Sequence, residues 1–139
     1  MADTPDYALY KEFGGYLFDN YGDGDNGGQF FQAFPDLKEY SFDKPMIVLG
    51  NRSLNQETPL KGVLVSRPAV TVHIFGSKDD QASVEELTSM IYSYISKLDT
   101  VGEYRVVLDP RYTVNNTTLE QEDNLQLWHK TLDVTFRVN

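Results

Sequence analysis

Ala69-Val70-Thr71-Val72-His73-Ile74-Phe75 alternates small or apolar β-forming residues, Gly76 to Gln81 carries turn residues, and Ser83 to Leu98 repeats apolar residues at helical spacing. This is a strand feeding a helix. Val70, Val72 and Ile74 share one strand face, and Val84, Leu87, Ile91, Tyr94, Ile95 and Leu98 share one helical stripe, so each surface can bury the other. Ser83 followed three residues later by Glu86 reads as a capping box, and Glu85-Glu86 places negative charge where the helix dipole favours it. Both signals predict a helix start near Ser83.

Outward from this unit, the 139 residues fit one domain, 1–139, whose folding can bury roughly two-thirds of the unfolded surface. The absence of cysteine excludes a disulfide framework, a thiolate metal site and a cysteine nucleophile, and fits a reducing compartment. Met1-Ala2-Asp3-Thr4-Pro5-Asp6 has no apolar core and does not read as a secretory signal, and no run approaches transmembrane length. The expectation is a soluble protein made in the cytoplasm, in which the sequons at Asn51, Asn115 and Asn116 carry no glycosylation meaning.

The net charge of −9 argues against a protein that grips phosphates. Its distribution is uneven. Residues 1–43 hold nine acids and two bases, residues 44–67 one acid and four bases, and residues 68–139 eleven acids and six bases. Lys44, Arg52, Lys61 and Arg67 thus form a basic segment in an acidic chain, able to dock on acidic surface of another copy or to stand as solvated loop charges.

From the N-terminus, Tyr7, Tyr10, Phe13, Leu17 and Phe18 predict an amphipathic helix over 4–18, weakened by Gly14-Gly15. Residues 19–28, DNYGDGDNGG, read as an acidic Gly-rich loop, after which Phe30, Phe31, Phe34 and Leu37 need a buried side. Met46 to Leu49 reads as a buried strand closed by Gly50, and 51–62 as a loop or hairpin tip within a basic loop at 51–67. Val63 to Val65 returns toward the sheet before Pro68 breaks the ladder. Tyr104 to Leu108 is a further strand, ended by Asp109-Pro110, and residues 113–124 are polar and unassigned. Trp128, Leu132, Val134, Phe136 and Val138 alternate along a final strand, with Leu125 and Leu127 out of phase, which predicts a bulge near His129. The expected fold is α+β: a mostly antiparallel four- to five-stranded sheet with two helices packed on one face.

Motifs that carry chemistry are few. Gly22-x-Gly24-x-x-Gly27 matches the dinucleotide fingerprint as a string but lacks the strand before it and the helix after it. Asp19, Asp23 and Asp25 offer an irregular cation site at most, because the calcium-loop spacing breaks at Gly27 and Phe34. His73 and His129 have no partners at metal-ligand spacing and read as unrelated structural histidines. No nucleophile elbow, phosphate-binding loop or zinc helix occurs. The expectation is therefore no enzyme, no catalytic residues, no cofactor and no metal. Tyr92 and Tyr94, flanking the helix stripe, suit either an interface or the boundary of the core.

The order of elements resembles the tail terminator proteins of long-tailed bacteriophages, also called tail completion or minor tail proteins, and the related head–tail joining proteins. The resemblance is carried by the N-terminal helix, Pro45-Met46-Ile47-Val48-Leu49-Gly50, a variable loop, the strand Val70 to Ile74, the Ser83-Val84-Glu85-Glu86-Leu87 helix and the alternating last strand. It spans about residues 44–138, and the stretch from Asp19 to Asp43 is longer than the family's pattern. It implies a homo-oligomeric ring, usually a hexamer, that caps the tail tube protein, stops its polymerisation and meets the head–tail connector. DNA passes through without specific binding, no membrane is involved, and the place of action is the virion tail, assembled in the host cytoplasm. Arg52, Lys61 and Arg67 are the candidate inter-subunit contacts, since a ring needs one patch to meet a different patch on its neighbour. The competing readings are a head-completion or stopper protein and a small ligand-binding or enzymatic α+β domain.

Overall fold

A computed structural model describes residues 3–24, 26–122 and 124–139, so Met1, Ala2, Asp25 and Asp123 lie outside the described residues. Helix α1 (Pro5–Tyr21) leads through β1 (Gln29–Phe31) into two long strands, β2 (Met46–Leu60) and β3 (Val63–Ser77). Helix α2 (Gln81–Ser96) follows, then β4 (Thr100–Val101), β5 (Tyr104–Leu108), β6 (Val114–Glu122) and β7 (Leu125–Val138). The class is α+β, as expected, but the sheet is larger and mixed. Among the described residues seven strands run in the order β1-β2-β3-β7-β5-β4, with β6 also on β7, and β1 pairs β2 in parallel.

The strands that escaped the sequence reading are β1, β4 and β6. The first two are only three and two residues long. In β6, Val-Asn-Asn-Thr-Thr-Leu-Glu-Gln-Glu, no described residue is buried, so a backbone ladder to β7 holds it rather than an apolar face. Strands β5 and β6 lie end to end along one edge of β7, pairing its residues 136–138 and 125–133 respectively.

One sheet face carries both helices. Val70, Val72, Ile74, Leu132, Val134 and Phe136 are each 0% exposed beneath Leu9, Phe13 and Leu17 of α1 and Val84, Leu87, Ile91 and Ile95 of α2. At the layer's boundary Tyr16 of α1 stacks on Tyr94 of α2 at 3.7 Å, which places Tyr94 at the edge of the core. Helix α1 runs to Tyr21, beyond Phe18, because Phe13, Leu17 and Tyr21 continue the buried stripe at four-residue spacing. The acidic loop is accordingly shortened from 19–28 to 22–28.

Helix α2 begins at Gln81, two residues before Ser83, and Asp80 is its N-cap residue without a side-chain hydrogen bond. The predicted capping box does not form. Ser83 sits inside the first turn, and Glu85 instead reaches Lys130 of β7, whose ammonium donates to both carboxylate oxygens at 2.9 Å and to Thr117 Oγ1 at 2.8 Å. The ion pair keeps a nearly buried lysine under the helix, and losing one partner would cost more than the pair's net worth.

The opposite sheet face is also covered at one end. Leu127 is buried there with Phe42, Met46, Val48 and Phe75, and Phe31, Leu37, Tyr40 and Leu125 pack around them. This replaces the predicted bulge near His129. Strand β7 pairs β3 without a register break from Leu127 to Thr135, and its out-of-phase leucines point to a second small core.

Candidate functional site

Residues 51–67, expected as a basic loop with a loop or hairpin tip at 51–62, form most of a two-stranded arm, so the hairpin alternative is the one the strands adopt. The pairing of β2 and β3 shifts register between Leu49 and Arg52, runs from Arg52 opposite Val70 to Glu57 opposite Val65, and shifts again before Leu60 opposite Val63. Gly50 lies at this irregularity, and a Cβ there would stand 2.8 Å from His73 Nε2 and 3.2 Å from Thr71 O, so glycine gives the His73 ring its room. Beyond it β3 loses its second neighbour, since β7 pairs only as far as Ala69. Pro68 therefore does not break the strand; it sits opposite Leu54 where β3 has a single partner strand. Residues 54–60 and 63–67 thus project as a ribbon of about 20 Å at 3.3 Å per residue, with Pro68 buried at its base. Gly62, with φ of +82°, supplies the turn.

Arg52, Lys61 and Arg67 are not brought together. Arg52 lies at the arm's base, its Nε 3.3 Å from Asp6 Oδ2 and its guanidinium over the Tyr7 and Tyr10 rings at 4.6 and 5.6 Å. It ties the arm to α1. Arg67 lies on the other face, paired through Nη1 with Glu57 and through Nε with Asp109 Oδ2 at 3.3 Å, above the Tyr112 ring at 4.8 Å. Lys44, the fourth cation of the segment, donates to Gly24 O at 2.5 Å. Lys61 alone stands at the exposed turn, with no ion pair among the described residues.

Arg67 borders an open polar cleft of about 470 Å³, lined also by Ser53, Asn55, Glu57, Tyr112 and Asp133. Its lower wall is the 109–113 loop between β5 and β6, pinned to β7 by Asp109 N donating to Thr135 O at 2.9 Å and by Thr135 N donating to Thr113 Oγ1 at 3.2 Å. Burial pushes the Asp109 carboxyl up, but the side chain and backbone N–H of Arg111, with Arg67, outweigh it and hold the carboxyl below the usual range. Both arginines here are already satisfied within the chain.

The two histidines, expected to be unrelated, are in contact. Phe75 faces His129 directly in the β3–β7 ladder, so His73 and His129 are diagonal neighbours, with His73 Nδ1 2.8 Å from His129 Nε2. Glu120 of β6 is 2.8 Å from His129 Nδ1. An ionised carboxylate only accepts, so His129 carries its proton on Nδ1, and its Nε2 accepts from His73 when both rings are neutral. Burial first, then the charge of His129, lowers the His73 pKa, with Glu120 and Asp133 opposing. A lowered histidine contributes stability that is complete above its unfolded value near pH 6.5 and is lost as pH falls through the folded value. The expected result is a melting temperature that drops between pH 7.5 and 5, with a smaller drop in His73→Gln. Equal slopes for the two proteins would remove His73 as the cause.

Among the described residues no group of three or more histidine and carboxylate side chains could hold a metal ion. The sequence Gly22-x-Gly24-x-x-Gly27 follows a helix and precedes a strand, the reverse of what a dinucleotide site requires. Asp25, the third acid of the proposed cation loop, lies outside the described residues. No described helix is long and apolar enough to cross a membrane.

The arm ends in an apolar tip outside the basic segment's charge pattern. Leu60, Val63 and Leu64 are 68, 44 and 60% exposed. The available signal was Leu60-Lys61-Gly62-Val63, a two-residue turn with apolar flanks.

No protein-family model matches the chain, and no curated protein matches it in sequence. Among solved structures it is similar to a chain of the "Virion of native gene transfer agent (GTA) particle", with a TM-score of 0.55 and 11% identity, over 81% of this chain and 78% of that one. At that identity the likeness is one of fold.

Proposed function

We infer that this chain is a structural protein of a phage-like virion, and within it the tail terminator. The observation that carries the reading is a fold shared over 81% of the chain with a component of a virion particle. The element order that resembles tail terminators agrees with it. A projecting arm supports the finer assignment, because a ring of identical subunits needs a feature on one copy that reaches a different surface on the next. In this reading copies close into a ring, usually of six, that sits on the last ring of tail tube protein and offers its other face to the head–tail connector. The acidic surface lets DNA pass, since carboxylates repel phosphates. No catalysis and no cofactor are required, and the protein resides in the virion after assembly in the host cytoplasm.

Native mass spectrometry over a concentration series, alone and with the tube protein of the same particle, tests this. A closed ring that binds the tube end and stops its growth is expected. A chain that stays monomeric and leaves tube growth unchanged would overturn the assignment.

A further inference from the structure

The end of the arm differs from its stem. Between the sheet and the turn the strands carry Ser53, Asn55, Gln56, Glu57 and Ser66 with the half-buried Leu54 and Val65 among them, whereas Leu60, Val63 and Leu64 flank Lys61 at the tip. A two-stranded ribbon has no core there, so these aliphatic groups stand in water, Leu60 and its partner Val63 on one face and Leu64 on the other. The helix layer presents a second feature. A groove of about 130 Å³ runs between the Asn26-Gly27 turn and α2, with Leu87 and Met90 as its apolar part and Ser83 and Glu86 at its rim. Met90 is 48% exposed, and Glu86 has no ion pair among the described residues.

We propose that the arm tip of one copy docks in this groove on the helix layer of the next, Leu60 filling it beside Met90 and Lys61 meeting Glu86. The inference rests on the ring reading above and names its contact. Three observations lead to a second copy as the occupant. The groove has room for one aliphatic side chain, and the tip offers the most exposed leucine of the chain. Copies carrying −9 each repel, so a contact between them is favoured where it brings a cation of one to an anion of the other. Lys61 is the arm cation left over once Arg52 is held by Asp6 and Arg67 by Glu57 and Asp109. Tip and groove are different patches of one chain, so the contact is head-to-tail and closes into a ring when its rotation permits.

The chain has no cysteine, which makes crosslinking specific. Leu60→Cys and Met90→Cys proteins, purified separately, mixed and oxidised, should give the mixed dimer at least about tenfold over either like pair, because only unlike patches meet. Lys61→Glu and Glu86→Lys should each weaken association about a hundredfold, from like charges set face to face, and the double exchange should restore it to within about tenfold. Melting temperatures of all variants confirm that folding is intact. A ring that forms unchanged in both single charge variants and yields no mixed crosslink would overturn the docking and leave the ring. A tip cysteine carrying a photoreactive maleimide that captures the tube protein instead would assign the tip to that partner and overturn contact between copies. Wild-type chains that remain monomeric with and without tube protein would overturn both.

Discussion

Phe136→Ala is expected to cost about 4 kcal/mol, much of the stability a domain of this size possesses, and to leave a large unfolded fraction at 37 °C. Phe136 is 0% exposed and meets Phe13 of α1 edge to face, with ring centroids 6.3 Å apart. It pairs with Leu108 of β5, so it stands where the last strand, the β5 edge and the first helix converge. Backbone ladders hold the sheet side of the cavity and α1 the other, which leaves little freedom for collapse. Urea denaturation reads the loss directly. Leu64→Ala, at a side chain 60% exposed on the arm, is the matched control and should stay within about 0.5 kcal/mol of wild type. A loss below about 1 kcal/mol for Phe136→Ala would contradict the placement of α1 on the sheet.

Gly76→Ala should destabilise by about 3 kcal/mol, the upper end for adding one carbon to a packed interior. Gly76 is a strand residue paired with Trp128, and a Cβ on it would fall well inside contact distance of Val84 Cγ2. Val84 is 0% exposed, and its branched side chain has one favoured rotamer in a helix, so it cannot swing away. Either α2 lifts from β3 or the strand bends. The diagnostic is a second change: Val84→Ala destabilises the wild type by opening a cavity but should stabilise the Gly76→Ala protein by relieving the clash. If Val84→Ala makes both backgrounds worse by the same amount, the close approach is not the cause.

Both substitutions fall in the strand-to-helix unit or against it, the part most legible in the sequence. Val70, Val72 and Ile74 on one strand face and Val84, Leu87, Ile91 and Ile95 on one helical stripe are buried as their spacing requires. The capping box at Ser83 and Glu86 was legible but misleading. Asp80 precedes the helix, and Glu85 is drawn to Lys130, a residue 45 positions away. Leu125 and Leu127 misled for a related reason: alternation reports one buried face, and β7 has a second apolar cluster on the other.

The candidate site was legible as a charge pattern but not as a surface. Lys44, Arg52, Lys61 and Arg67 fall in one segment of the chain, yet strand alternation sends Arg52 to α1 and Arg67 to Asp109, while a turn leaves Lys61 exposed. The polar run of β6 carried no strand signal, because its order comes from pairing with β7.

Local periodicity and turn chemistry were enough to establish two helices, the faces they bury and the long final strand, since those features depend on residues close in sequence. The parallel pairing of β1, the β6 edge, the His73–His129–Glu120 chain and the protruding arm depend on which strands lie side by side. Each is set by contacts between residues far apart in the chain, whose energies no single segment contains.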